Sequence, residues 1–209
     1  MLARVSSVGL RGVEGVPLQV EVDVAGGLPG VVLVGLADRA VRESRDRVRS
    51  ALQNAGYEPP RRKVTVNLAP SDVPKAGTAY DLPIAIGFLA ASGQIEVRSG
   101  PEVAWAGELS LDGKVRPVRG ILPMAVAARR GGIRTLVVPD GNVPEALGVE
   151  GLAVAGVGTL AEAAGVAAGA TAPRRAPDAT PRRRGALSMS DFGEVRGQAV
   201  AKRALTIAA

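Results

Sequence analysis

The sequence predicts an α+β fold, a two-layer structure in which helices pack over a mixed β-sheet. Polar and apolar residues alternate through short segments such as 17–24, which is typical of half-buried strands. Apolar residues recur at helical spacing between Asp38 and Ala55. Hairpin patterns and helix patterns are mixed along the chain, which favours α+β over a purely parallel arrangement.

The first half of the chain contains four strand patterns and two helix patterns. The strands are predicted at 2–10, 17–24, 31–36 and 63–69, with a turn at the GGLPG cluster. The first helix covers Asp38–Ala55, where Asp38 can cap the beginning and Gly56 the end. The second helix is predicted to take Asp81 as its cap and to run to about Ser92.

The second half begins with a hairpin pattern over 104–118, which turns at Asp112-Gly113. Helix patterns follow at 120–130, 143–147 and 160–166, alternating with strand patterns at 135–139 and 152–157. Residues 1–167 are therefore predicted to form one domain. Residues 168–190 are rich in Pro, Ala and Arg without periodicity, which is typical of a solvated linker. A further helix pattern begins at about Gln198.

The composition excludes several classes of protein. The chain has no Cys and no His, which removes disulfides, thiol nucleophiles, Cys/His zinc sites and any Ser-His-Asp triad. Its aromatic content of 2% disfavours a platform on which single-stranded bases stack. The first ten residues hold no signal peptide pattern, and the longest uncharged run, 82–95, is too short to span a membrane. We expect a cytoplasmic protein without a membrane partner.

The net charge of +6 is concentrated in one segment. Residues 170–190 hold five arginines against the single acid Asp178. These arginines are the candidate DNA contacts, because neutralised phosphates release counterions: Arg174, Arg175, Arg182, Arg183 and Arg184. The alternative interpretation is a tether that only keeps the chain solvated.

Three long stretches, 26–60, 64–95 and 107–132, resemble the N-terminal region of the YifB/ComM proteins, a family of magnesium-chelatase-like AAA+ ATPases. Residues 191–209 resemble the segment that precedes the Walker A loop in that family. The resemblance identifies 191–209 as the truncated start of an AAA+ ATPase domain. Ala37 departs from the proline expected at that helix start, but alanine is a good helix former.

The resemblance implies that the N-terminal domain is shaped like the proteolytic domain of Lon and that an AAA+ motor follows it. That motor would bind ATP and Mg²⁺ and build a homo-oligomeric ring. The full-length protein would act on DNA, in branch migration or recombination during natural transformation. For this chain itself the resemblance implies a non-catalytic accessory domain, with no cofactor and no metal of its own.

The stretch PKAGTAYDLP, residues 74–83, matches the loop that carries the serine of Lon-type proteases. Ala79 occupies the serine position, and Leu122-Pro123-Met124 occupies the turn that would carry the lysine. No lysine occurs between Lys114 and Lys202, so the dyad cannot form and we predict no enzyme. A remaining catalytic hypothesis is Thr78 activated by Lys75.

The structural interpretation of this loop is that Gly77 permits a tight turn and Asp81 caps a core helix. Phosphate binding of the Walker A type is not predicted, because the single Gly-Lys pair, Gly113-Lys114, lies in the hairpin pattern and lacks the required spacing.

The first helix carries arginines at 39, 42, 45, 47 and 49. Three i,i+4 pairs are predicted to make this a salt-bridged solvent face: Arg39/Glu43, Arg42/Asp46 and Glu43/Arg47. The alternative is a basic patch that the helix forms together with Arg61, Arg62 and Lys63.

Two other functions stay open at this point. One is a Lon-related hydrolase of the serine/lysine type, and the other is a free-standing binding protein. The helix pattern that ends at Ala209 without a Gly or Asn stop disfavours the free-standing protein.

Overall fold

The computed structural model describes residues 1–170 and 197–208. The chain divides into two compact units between Asp178 and Ala179, and each is described by itself. The predicted linker, 168–190, lies almost wholly outside the described residues, as do the five linker arginines. The boundaries 1–167 and 191–209 stay predictions.

The described part of the first unit holds nine strands, five α-helices and one short 3-10 turn. The strands are β1 (Leu2–Arg11), β2 (Glu14–Ala25), β3 (Gly30–Val34), β4 (Lys63–Ala69), β5 (Val103–Trp105), β6 (Glu108–Leu109), β7 (Val115–Arg116), β8 (Thr135–Pro139) and β9 (Ala153–Val157). The helices are α1 (Arg39–Asn54), α2 (Asp81–Ala91), α3 (Ile121–Arg130), α4 (Val143–Ala146) and α5 (Leu160–Ala167), with the 3-10 turn at Asp140–Asn142.

Seven of these strands form one mixed sheet in the order β3-β4-β2-β1-β5-β8-β9. The hairpin β1–β2 and the pair β2–β4 are antiparallel. The pairs β3–β4, β1–β5, β5–β8 and β8–β9 are parallel. The α+β class with a mixed sheet and packed helices is confirmed.

Buried side chains of β8 alternate between the two faces of the sheet, as strand geometry requires. Val137 joins the larger apolar cluster, which α1, α2 and α5 cover. Leu136 and Val138 join a second cluster with residues of α3 and α4. Helices therefore cover both faces of the sheet. The two-layer arrangement predicted from the sequence is extended by a third layer, which α3 and α4 form.

The helix boundaries follow the predicted capping with one exception. The Asp38 carboxylate accepts a hydrogen bond from the Val41 N–H at 2.7 Å and caps α1. Gly56 follows the last turn with φ +84°, the left-handed conformation that glycine adopts readily. The predicted cap at Asp81 is wrong, because α2 begins without a side-chain cap and the Asp81 carboxylate is used elsewhere.

The predicted hairpin over 104–118 is confirmed in a shorter form. Only β6 and β7 pair with each other, whereas Val103–Trp105 joins the large sheet between β1 and β8. Gly113 takes φ +82° in the turn.

In the second unit, helix α6 covers Ala199–Ala208, in agreement with the helix predicted from about Gln198. Its exposed apolar side chains are Val200, Leu205 and Ile207. Across residues 1–170 and 197–208, no helix has the length and apolar content needed to cross a membrane.

Candidate functional site

The loop that precedes α2 is fixed to the end of β3 by its backbone. The Lys75 N–H donates to the Leu36 carbonyl at 3.2 Å, and the Asp38 N–H donates to the Lys75 carbonyl at 3.0 Å. The Asp38 carboxylate also accepts from the Gly77 N–H at 3.3 Å. Asp38 therefore caps α1 and positions the loop at the same time.

Lys75 is fully buried, although a lysine in a polar loop is normally exposed. Its ammonium donates a hydrogen bond to the Pro70 carbonyl. Burial lowers the pKa of Lys75, and Asp72 opposes that shift. Both Lys75 and Thr78 are among the described residues, and no hydrogen bond joins them. The arrangement therefore gives the Thr78 hypothesis no support.

We expect the burial of Lys75 to be visible in the pH dependence of stability. The folded pKa lies below the ordinary 10.5, so between these two values the unfolded chain binds more protons and stability rises with pH. Lys75→Met should remove this rise, at about 1.4 kcal/mol per pKa unit of lowering. Urea unfolding between pH 7 and 10, followed by the fluorescence of the single tryptophan Trp105, measures it.

The exposed Lys63 provides the control, and Lys63→Met should keep the wild-type pH dependence. A constant difference between wild type and Lys75→Met at every pH would contradict the prediction.

Ala79, at the serine position, and Met124, in the turn that would carry the lysine, belong to one apolar cluster. Ala79 is 4% exposed and belongs to the same buried cluster as Ile121 and Met124 of α3. The Ala79 carbonyl accepts from the Gly107 N–H at 2.9 Å, which fixes the backbone of the loop against the end of β5. Ala79 and Met124 thus contribute to the hydrophobic core, whereas Leu122 is exposed.

Beside this loop, Asp81 forms a buried polar cluster with α1. Its carboxylate accepts two hydrogen bonds from Arg47, at 2.7 and 3.0 Å, and one from the Ser44 hydroxyl. The Leu109 N–H of β6 donates to it at 3.2 Å. Asp81 and Ser44 are fully buried, and Arg47 is 20% exposed. The cluster joins α1, α2 and β6.

Burial raises the pKa of the Asp81 carboxyl, while the hydrogen bonds from Arg47 and Ser44 act in the opposite direction. The hydrogen bonds that Arg47 donates to Asp81 raise the pKa of the Arg47 guanidinium. We infer an ion pair, because four donated hydrogen bonds on one carboxylate favour its charged form.

Sequence reasoning missed this cluster, although the sequence held a signal for it. Ser44 lies in the apolar stripe of α1, between Val41 and Val48. A serine on the buried side of a helix needs a polar partner. The arginine one turn later, Arg47, and the acidic residue at the start of α2, Asp81, were the available partners.

The predicted charge pairs of α1 are only partly correct. Arg39 and Glu43 form the predicted pair at 2.9 Å. The pairs Arg42/Asp46 and Glu43/Arg47 are wrong, because Asp46 pairs with its neighbour Arg45 and Arg47 turns toward the buried Asp81. Two arginines of the helix, Arg42 and Arg49, form no ion pair within the described residues.

The other predicted site residues are placed as follows. Lys114, next to Gly113, lies in the β6–β7 turn and pairs with Asp112 at 3.0 Å. Arg61 contacts Glu58 at 4.0 Å, whereas Arg62 and Lys63 are exposed without an ion pair in the described ranges. Within residues 1–170 and 197–208, no three His, Cys, Asp or Glu side chains form a group that could hold a metal ion.

The fold class of the domain is shown by its similarity to Lon proteases. Lon protease of Mycolicibacterium smegmatis is 26% identical over 146 residues, which cover 67% of this chain and 18% of that protein. With the mixed sheet described above, this similarity identifies the domain as Lon-protease-like in fold.

The family follows from closer matches. The model for subunit ChlI of Mg-chelatase matches residues 20–142. YifB of Escherichia coli is 49% identical over 129 residues, covering 62% of this chain and 26% of that protein. Competence protein ComM of Haemophilus influenzae is 40% identical over 214 residues, covering all of this chain and 41% of that protein. The chain belongs to the Mg-chelatase ChlI-like family, which the sequence resemblance had indicated.

An uncharacterized protein of Mycobacterium tuberculosis is also similar, with 43% identity over 211 residues. This match covers all of the present chain and again 41% of the relative. The chain thus spans about two-fifths of the length of these full relatives.

Proposed function

We propose that this chain is a non-catalytic accessory domain of an AAA+ ATPase that acts on DNA. The proposal is carried by the apolar side chains that stand where Lon-type proteases have their catalytic serine and lysine. Ala79 has no nucleophilic atom, and the turn Leu122-Pro123-Met124, which would carry a Lon-type lysine, has none; its Met124 packs in the same cluster as Ala79. A domain that keeps the fold without these groups serves interaction.

The finer parts of this function rest on the family. The name of the relative ComM, a competence protein, supports a role in natural transformation, through branch migration or recombination. The motor that follows would bind ATP and Mg²⁺ and assemble the homo-oligomeric ring, in the cytoplasm. Arg174, Arg175, Arg182, Arg183 and Arg184 would add contacts to DNA phosphates.

The accessory role predicts that the 209-residue chain neither cleaves casein nor hydrolyses ATP. Fluorescent casein and released phosphate measure the two activities. Casein cleavage that Thr78→Ala abolishes and Thr65→Ala preserves would contradict the proposal, because only Thr78 lies in the loop before α2. In that case the Lon-related hydrolase would be the correct function.

The link to a motor is tested by the coding sequence downstream of Ala209. Within about 20 codons we expect a Gly-rich loop ending in Gly-Lys-Thr, the Walker A pattern. A stop codon directly after Ala209 would contradict this part of the proposal and favour a free-standing binding protein.

A further inference from the structure

We infer that one side of the folded domain binds the phosphate backbone of double-stranded DNA, independently of the linker arginines. This inference rests on the proposed action on DNA and adds a surface to it. The surface, called the arginine patch below, consists of six exposed residues: Arg42, Arg45, Arg49, Arg61, Arg62 and Lys63.

Helix geometry brings the first three residues together. Arg42, Arg45 and Arg49 are spaced i, i+3 and i+7, so they lie on one side of α1. Arg42 and Arg49 are separated by about 10 Å along the helix axis. That distance matches about three phosphate steps of one DNA strand.

The fold then joins this stripe to the segment before β4. Arg45 and Arg49 line a small cavity together with Pro60, and Arg61 and Arg62 line a neighbouring cavity. Pro60 lines both cavities and directly precedes Arg61, so the two groups of arginines lie near each other. The sequence alone did not decide whether these groups are neighbours.

The patch has more positive charge than its acidic neighbours balance. Asp46 pairs with Arg45 at 3.0 Å, and Glu58 contacts Arg61 at 4.0 Å. Glu43 is engaged with Arg39, which lies outside the patch. Within the described residues, the remaining four cations of the patch form no ion pair. A group of exposed cations that exceeds its acidic neighbours fits a partner that offers several phosphates.

The surroundings favour duplex DNA over single strands. Of the described aromatic side chains, Trp105, Tyr80 and Phe88 are buried and Tyr57 is half-buried, so none offers a fully exposed ring on which single-stranded bases could stack. Charge without a fully exposed ring favours backbone binding, which is independent of sequence.

The test compares three triple variants of the 209-residue chain with equal changes in charge. The patch variant is Arg42→Gln/Arg49→Gln/Arg62→Gln. The matched control is Arg129→Gln/Arg130→Gln/Arg134→Gln, which removes three exposed arginines at the end of α3 and before β8. The linker variant is Arg174→Gln/Arg175→Gln/Arg182→Gln. Thermal unfolding confirms that each variant is folded.

Binding to a 30-base-pair duplex is measured by fluorescence anisotropy between 50 and 200 mM KCl, a range in which phosphate contacts respond strongly to salt. The patch variant should bind at least about tenfold more weakly at low salt. Its negative slope of log K against log salt should become shallower by about 2–3. The control should keep the wild-type affinity within about twofold.

Equal weakening in the patch variant and in the control would overturn the inference. Loss only in the linker variant would overturn it too, while leaving the proposed action on DNA intact. If the wild type binds no duplex, both the inference and the DNA contact of this chain are wrong. Tighter binding to single strands or to anionic vesicles than to duplex would overturn the choice of partner.

Discussion

Asp81→Ala should destabilise the domain by about 3–5 kcal/mol, the usual cost of breaking a buried ion pair by removing one partner. The substitution leaves the Arg47 guanidinium without its carboxylate and the Ser44 hydroxyl and Leu109 N–H without an acceptor. A domain of this size is commonly stable by about 5–15 kcal/mol, so the variant would be close to unfolding. Urea unfolding at pH 7, followed by Trp105 fluorescence, measures the change.

The matched control for this variant is Asp46→Ala. Asp46 also pairs with an arginine, but both partners of that pair are exposed, and such pairs contribute about 0–1 kcal/mol. A similar loss of stability in the two variants would contradict the role of burial. A double-mutant cycle with Arg47→Ala adds a second criterion, because the two losses should be strongly non-additive.

The Asp81 cluster also matters for the surface proposed to bind DNA. Arg47 lies on α1, the helix that carries half of the arginine patch, and Asp81 begins α2. Their ion pair holds α1 against α2, so the position of the α1 arginines relative to Arg61, Arg62 and Lys63 depends on a buried contact. Weaker DNA binding by a folded Asp81 variant would therefore reflect positioning.

Most of the fold was predictable because its elements are encoded locally. The alternation from Leu18 to Val24 and the stripe of α1 each identify an element from neighbouring residues alone. Asp38 was recognised as a cap because capping needs only the next three residues. By contrast, the assignment of Val103–Trp105 to the large sheet depends on strands that are distant in sequence.

The candidate site was less predictable because its contacts join distant segments. The apolar residues at Ala79 and at Leu122–Met124 were visible in the sequence, but the cluster that Ala79 shares with Met124 was not. Asp81 was predicted to cap its own helix, since a local partner is the default for an acid at a helix start. Its true partners are 34 and 37 residues away, at Arg47 and Ser44.

Gly35 also depends on a contact that is distant in sequence, because its backbone lies close to Leu68 of β4. Gly35 has φ +104°, and a Cβ atom added there would lie 2.3 Å from the Leu68 carbonyl oxygen. Gly35→Ala should therefore cost about 2–5 kcal/mol, combining backbone strain with the displacement of β4. Urea unfolding followed by Trp105 fluorescence measures this cost.

Gly77→Ala separates the two contributions. Gly77 has a similar φ of +87°, but a Cβ atom added there would meet no atom within 4 Å. It should therefore show the strain alone, about 1–2 kcal/mol. Equal losses in the two variants would contradict the close approach of Gly35 to β4. A larger loss at Gly35 would show that the segment after β3 is held in place by packing against β4. That segment includes Leu36, whose carbonyl accepts the hydrogen bond from the Lys75 N–H.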